Sequence, residues 1–160
     1  MKLATVCAVL MMTAAFSVPA LAADTVPFHA AIQTQPQPVV FPCGPVCQLD
    51  IPGFGNASHM GAIQAPGEST LNLITLEQTG SFLLIAANGD SMAVTFSGAF
   101  LPSGPTFDDP VTFMGTWTIM SGTGRFAGAT GSGTYQGTAA GAQGTVWLDG
   151  TISTVGSNKK

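Results

Sequence analysis

The chain has 160 residues, with four Lys or Arg, eight Asp or Glu and a formal net charge of −4. So few cations leave no basic stripe to neutralise phosphates, which argues against binding to nucleic acid or to anionic lipid. The length fits one domain with a core of its own.

The first element along the chain is a predicted secretory signal peptide. Met1-Lys2 precedes an apolar run that ends in Ala20-Leu21-Ala22, the small-residue pattern typical of signal cleavage. We predict removal of residues 1–22, with cleavage after Ala22 or Ala23, and a secreted or periplasmic protein without membrane insertion. The mature chain then keeps three cations against eight acids, a net charge of −5.

Residues 23–45 are predicted to form an extended, Pro-rich segment, with a short first strand in 24–33. Cys43 lies near its end, and Cys47 follows in the sequence CGPVC. In an oxidising compartment we expect these two cysteines to form a disulfide. A thioredoxin-like redox site is the alternative, but Val46 lengthens the CxxC spacing and no helical pattern follows.

Residues 46–155 are predicted to form a β-barrel domain, followed by a short tail, 156–160. Alternating patterns predict strands at 69–79, 82–87, 90–100, 111–120, 128–138 and 144–154, with weaker strands near 46–51 and 58–65. Asn88-Gly89 predicts a tight hairpin turn. Without helices for parallel crossovers the sheet should be antiparallel, and its many glycines favour an eight-stranded up-and-down barrel. A two-sheet β-sandwich is the alternative.

The stretch GTGRFAGATGSG, 122–133, matches a dinucleotide-binding fingerprint, G-x-G-x-x-G/A, at Gly122, Gly124 and Ala127. That motif needs a helix whose N-terminal amides bind pyrophosphate, and the Gly- and Thr-rich sequence after it disfavours a helix. We therefore interpret it as a turn between strands, with Phe126 returning to cover the barrel. No cofactor and no metal ion are expected.

The same segment resembles dirigent proteins and allene oxide cyclases, plant families that share a G-G-T/S-G-x-F-x-G-A-x-G signature, and small exported bacterial proteins of unassigned function. The resemblance spans residues 82–154, with Ser121 in place of the first signature glycine. It implies an eight-stranded antiparallel barrel, often oligomeric, with a mostly apolar cavity. No local motif identifies a counterpart for the catalytic residues of the plant families. The fold motif that the resemblance indicates comprises Gly122, Gly124, Arg125, Phe126, Gly128 and Gly131.

Two ionisable groups are weak candidates for catalysis. Arg125, the only cation between Ala23 and Asn158, either clamps an anion or carbonyl at the cavity mouth or, as we favour, pairs with an acid in a turn. Glu77 continues the face of Leu71. It therefore either points into the barrel as a general acid or base or, as we favour, is a solvated carboxylate beside a turn.

Metal ligands are not expected among the remaining acids and histidines. His29, His59 and Asp50 lack the spacing of a metal site. Asp108-Asp109, directly before a proline, favours a turn over a pair of Ca²⁺ ligands.

Three functions remain open, and we favour an exported barrel that binds a small apolar ligand or a partner. The second is a cofactor-independent isomerase or cyclase, in which Glu77 and Arg125 would form the buried polar pair. The third is a self-associating surface or matrix protein, because strands with so few charges suit a homo-oligomer. A filled interior would argue against the first two, whereas polar groups around a hollow interior would favour the enzyme.

Overall fold

A computed structural model of the chain describes residues 24–39, 42–106 and 108–153. Within these ranges the protein consists of β-strands, loops and one 3-10 turn, Gly124–Phe126. The predicted signal peptide and C-terminal tail lie outside the described residues. The strands are β1 (Thr25–Thr34), β2 (Gln37–Pro38), β3 (Val46–Asp50), β4 (Gly53–Ala57), β5 (Gly61–Gln64), β6 (Gly67–Asn72), β7 (Glu77–Ala86), β8 (Ser91–Pro102), β9 (Val111–Gly122), β10 (Gly131–Ala140) and β11 (Gln143–Ser153).

The strands form one antiparallel sheet that is partly ring-like over eight strands. Hydrogen-bonded neighbours follow the order β2-β3-β6-β7-β5-β4-β1-β11-β10-β9-β8, and β7 also pairs with β8. The predicted hairpin at Asn88-Gly89 joins β7 to β8, with Gly89 at a positive φ of 87°. The prediction of an all-β, antiparallel fold is therefore confirmed.

Three bends at proline divide the N-terminal strands. Pro36 lies between β1 and β2, Pro52 between β3 and β4, and Pro66 between β5 and β6. Proline has no N–H to donate to a ladder, so it interrupts the strand that contains it. Neighbouring amides continue the ladder: Gln35 N, for example, donates to the Pro52 carbonyl at 2.9 Å. The bends therefore redirect these strands without separating them from the sheet.

Large rings inside the sheet lie opposite glycines on neighbouring strands. A glycine has no side chain, so a ring can lie over its backbone and cover it. An added Cβ at Gly80 or Gly115 would overlap the Phe96 or Tyr135 ring, respectively. Glycines thus make room for the aromatic interior. The directly paired positions are Phe28–Gly150, Phe82–Gly67, Phe96–Gly80, Phe113–Gly137, Trp117–Gly133 and Tyr135–Gly115.

One end of the interior is filled with large side chains. Phe28, Leu84, Met92 and Trp117 are at most 1 % exposed there, and the Phe28 and Trp117 rings meet edge to face at 5.5 Å. The indole N–H of Trp117 donates to two backbone carbonyls at 3.1 and 3.2 Å, so its burial leaves no polar atom unpaired. This packed end fixes the strands that position the site at the other end.

The strand predicted at 69–79 is wrong, because a turn divides it. β6 ends at Asn72 and β7 begins at Glu77. Asn72 Oδ1 accepts hydrogen bonds from the amides of Ile74 and Thr75 at 3.0 and 3.1 Å, the local bonding by which Asn stabilises turns.

The Pro-rich N-terminal segment is part of the sheet. β1 pairs along one edge with β4 and along the other with β11, and β2 pairs with β3. Phe28 and Ile32 on β1 are completely buried in the core. The sheet therefore begins at Thr25, whereas the sequence pattern places the start of the barrel domain at Val46.

Candidate functional site: an apolar cavity with a buried polar cluster

The other end of the interior contains a cavity of about 590 Å³. Its walls are largely apolar and include Leu49, Phe82, Phe96 and Phe113. Residues of the loops that follow β6 and β8 also line it. A cavity of this size lies within the usual range of small-molecule sites, about 300–1,000 Å³.

Three polar side chains meet in this apolar cavity, and we call them the polar cluster: Ser69, Gln78 and Tyr135. Tyr135 OH donates to Gln78 Oε1 at 3.4 Å, and Gln78 Nε2 donates to Ser69 Oγ at 3.0 Å. Ser69 Oγ in turn donates to the Thr79 carbonyl at 3.3 Å. The three side chains are 3 %, 8 % and 4 % exposed, in chain order. The bond from Tyr135 exceeds the usual O–H···O distance of about 2.7–2.8 Å, so a ligand oxygen can replace it.

Aromatic neighbours hold the Tyr135 ring in place. The Phe96 ring meets it edge to face at 5.3 Å, and the Phe113 ring lies 6.5 Å away. Burial raises the pKa of Tyr135 to about 12, because the phenolate would lose its hydration inside the cavity. Tyr135 therefore stays protonated at neutral pH, where it serves as a hydrogen-bond donor and not as a base.

The disulfide lies against the same cavity. Cys43 and Cys47 are joined, as predicted, with their Cα atoms 5.0 Å apart. Both residues line the cavity, where the loop before β3 meets the start of that strand. The disulfide thus ties this loop to the wall of the site.

Asp109 brings a negative charge to the lining. Its carboxylate accepts hydrogen bonds from the Thr106 amide at 2.7 Å and from Thr106 Oγ1 at 2.8 Å. These two bonds lower the pKa of Asp109 below its usual value. Thr106 and Asp109 are thus joined across a turn, and a turn is the interpretation favoured from the sequence for Asp108-Asp109. Among the described lining residues, Asp109 alone carries a formal charge at neutral pH.

The chain matches no protein-family model, and no curated protein matches it. In the part of the chain that the structure describes, no helix is long and apolar enough to cross a membrane. One β fold can support many different functions, so a function for this chain must be inferred from the cavity and the residues that line it.

Glu77 lies outside the cavity. It is exposed on β7, and its carboxylate accepts a hydrogen bond from Thr75 Oγ1 at 2.8 Å. Leu76, directly before it, has a left-handed φ of 59°, and this turn resets the strand alternation so that Gln78 points inward. The structure thus shows the solvated carboxylate favoured from the sequence, and not an acid or base in the interior of the sheet.

Arg125 lies at the filled end, far from Glu77. Its Nε forms an ion pair with Asp90 Oδ2 at 3.2 Å, and its guanidinium lies 5.3 Å from the centre of the Phe126 ring. Glu77 begins the ten-residue strand β7 and Asp90 follows its end, a separation of about 30 Å along an extended strand. Arg125 is therefore the turn residue favoured from the sequence, and the buried Glu77–Arg125 pair expected for an isomerase or cyclase does not form.

The glycine motif forms the predicted turn between strands. Phe126 returns into the core and is 2 % exposed. Gly122 lies so close to the Phe126 carbonyl that a Cβ would overlap it, and Gly124 has a left-handed φ of 56°. Strand β10 begins at Gly131, after a further positive φ at Gly128. The turn interpretation is thus confirmed, because a strand follows the motif where a phosphate-binding helix would be needed.

The histidines have other partners. His29 Nδ1 lies 2.5 Å from Asp149 Oδ1, and His59 Nε2 is hydrogen-bonded to the Pro27 carbonyl at 3.0 Å. Asp50, on β3, takes part in neither contact. Among the described residues no group of three His, Cys, Asp or Glu is placed to hold a metal ion.

A second recess lies on the outer face of the sheet. Hydroxyl side chains of β7, β8 and β9, most of them exposed, line it, together with Asp50 and Glu68 on β3 and β6. It has few apolar groups to bury a ligand, so the inner cavity is the stronger candidate site.

Sequence reasoning missed the polar cluster. The strand pattern places Gln78 on the face opposite to that of Leu71 and Glu77, and it predicts no special role for Tyr135. A usable signal exists in β10, where Tyr135 shares a face with Gly133 and Gly137. Glycines on the face of a strand mark positions where a neighbouring side chain passes over the backbone, which indicates an inward face.

Proposed function

We propose that the chain forms a closed eight-stranded antiparallel barrel like that of dirigent proteins and allene oxide cyclases. Counted across the proline bends, β1–β2, β3–β4 and β5–β6 are three bent strands, which with β7 to β11 make eight. Each pairs with the next along the chain, and β1 pairs with β11. This order leaves none of the eight described strands with a fully unpaired edge, which favours a barrel over a two-sheet sandwich.

We propose that this barrel binds a small, mainly apolar ligand in its cavity. The observation that carries the proposal is the contrast between the two ends, one filled with large side chains and one hollow around a buried polar cluster. Empty apolar space destabilises a fold, so an interior that served stability alone would be filled throughout. Export to an oxidising compartment, together with the disulfide, suits a carrier that meets its ligand outside the cytoplasm.

The polar cluster favours a second candidate, a cofactor-independent isomerase or cyclase. Tyr135 remains a neutral donor, so it can stabilise negative charge that develops on an epoxide or carbonyl oxygen of an apolar substrate. In this role Tyr135 and Gln78 replace the Glu77–Arg125 pair expected from the sequence. Turnover that stops in Tyr135→Phe while ligand binding persists would favour the enzyme over the carrier.

The binding proposal is tested by filling the cavity. A neutral, environment-sensitive fluorophore such as N-phenylnaphthylamine should bind the wild-type protein. Leu71→Trp, in the cavity wall, should weaken its binding by about tenfold or more, the equivalent of about 1.4 kcal/mol. The matched control is Leu83→Trp, because Leu83 is 41 % exposed and does not line the cavity. No binding by the wild type, or equal loss in both variants, would contradict the proposal.

A further inference from the structure

The charges around the cavity disfavour anionic ligands. Asp109 is the one formally charged group among the described lining residues. Arg125, the only Lys or Arg in the described part of the chain, is paired with Asp90 at the filled end. A carboxylate that entered would lose its hydration in a cavity whose described lining offers one anion and no cation to compensate.

The polar cluster presents donors to a ligand oxygen. Gln78 Nε2 donates to Ser69 Oγ, and this is the one hydrogen bond that the nitrogen makes among the described residues, which leaves its second N–H for a ligand. The hydroxyl of Tyr135 makes only the long bond to Gln78 Oε1, at 3.4 Å. A carbonyl oxygen could accept from both groups, and a ligand hydroxyl could also donate to Gln78 Oε1.

The walls around these donors are apolar, with Phe82, Phe96 and Phe113 among them. Resting on the ligand-binding function proposed above, we infer that the cavity selects neutral apolar molecules with one carbonyl or hydroxyl oxygen. That oxygen hydrogen-bonds to Tyr135 and Gln78, and carboxylates of the same chain length are rejected.

Four ligands of matched chain length test this selection: decane, decanol, methyl octyl ketone and decanoate, each competing with N-phenylnaphthylamine. Tyr135→Phe should weaken the ketone and decanol about fivefold, the effect of one hydrogen bond, and should leave decane within about twofold. At neutral pH decanoate should compete at least about tenfold less well than decanol. It should gain affinity as its carboxylate is protonated near pH 4, close to the usual carboxyl pKa of about 4.3.

Two further variants separate recognition from folding. Gln78→Met keeps the length of the side chain without its donors, and should weaken the ketone as Tyr135→Phe does. Thr134→Val, on an exposed neighbour of Tyr135, should change nothing. Circular dichroism establishes that each variant is folded before its binding is compared.

The outcomes distinguish this inference from the binding proposal. If decane and the fluorophore bind but Tyr135→Phe and Gln78→Met leave the ketone unaffected, the oxygen selection is wrong and the carrier stands. If decanoate competes as well as decanol at neutral pH, the charge selection is wrong. If neither the fluorophore nor decane binds the folded wild type, the carrier proposal fails first.

Discussion

Tyr135 is the only tyrosine in the chain, so its ionisation can be followed without interference from another phenol. Burial raises its pKa to about 12, against about 10 for an exposed tyrosine. At pH 11, a group with the first pKa is about 10 % ionised and a group with the second about 90 %. The tyrosinate absorbance of the folded protein at pH 11 should therefore be about one tenth of that of the denatured chain.

The titration is made by ultraviolet absorbance, with circular dichroism recorded on the same samples to establish that the sheet is intact. The denatured wild type supplies the reference curve, and Tyr135→Phe should show no tyrosinate signal. A folded protein that titrates near pH 10 would refute the reasoning, because the hydroxyl would then be hydrated and the polar cluster open to solvent.

The same shift fixes the direction of the pH dependence of stability. The pKa of Tyr135 is higher in the folded than in the unfolded state, so the unfolded chain loses its proton first as the pH rises. The contribution of the neutral phenol is complete below pH of about 10 and is lost as the pH rises through about 12. In urea denaturation over this window, the wild type should lose stability more steeply than Tyr135→Phe. Parallel losses would contradict the assignment.

The remaining predictions concern stability and are measured by urea denaturation. Phe126→Ala should lower the free energy of unfolding by about 3–5 kcal/mol, because the ring is 2 % exposed. Arg125→Met should lower it by about 1 kcal/mol or less, because the ion pair of Arg125 with Asp90 is partly solvated. A loss as large as that of Phe126→Ala would contradict this description of Arg125 as a solvated turn residue. Gly115→Ala should destabilise, since its Cβ would overlap the Ser97 carbonyl and the Tyr135 ring, whereas Gly44→Ala meets no atom within 4 Å and should be neutral. Replacing both Cys43 and Cys47 by Ser should cost about 2 kcal/mol through the lost loop constraint, and the double variant should not respond to reductant.

The parts of the fold that the sequence predicts are those with local signals. Asn88-Gly89 encodes a hairpin within a few residues, and the alternation in β8 and β9 places Phe96 and Trp117 correctly on the inner face. The pairing of β1 with β11 has no such signal, because it joins the two ends of the described chain. Prolines make the strands in the first half of the chain harder still to predict. Pro52 and Pro66 break long strands into fragments whose patterns are too short to assign.

The polar cluster could not be predicted because the inward position of Gln78 depends on a turn, and the residues of that turn have a high strand propensity. Leu73-Ile74-Thr75-Leu76 is a run typical of a strand, yet Asn72 caps it as a turn and Leu76 takes a left-handed φ. This turn exchanges the faces that an unbroken strand over 69–79 would give to Glu77 and Gln78. It puts the carboxylate of Glu77 in solvent and the amide of Gln78 in the cavity, beside Tyr135. The chemistry open to the cavity changes with it, since an inward Glu77 would favour a buried acid or base, whereas an inward Gln78 favours neutral ligands that accept hydrogen bonds.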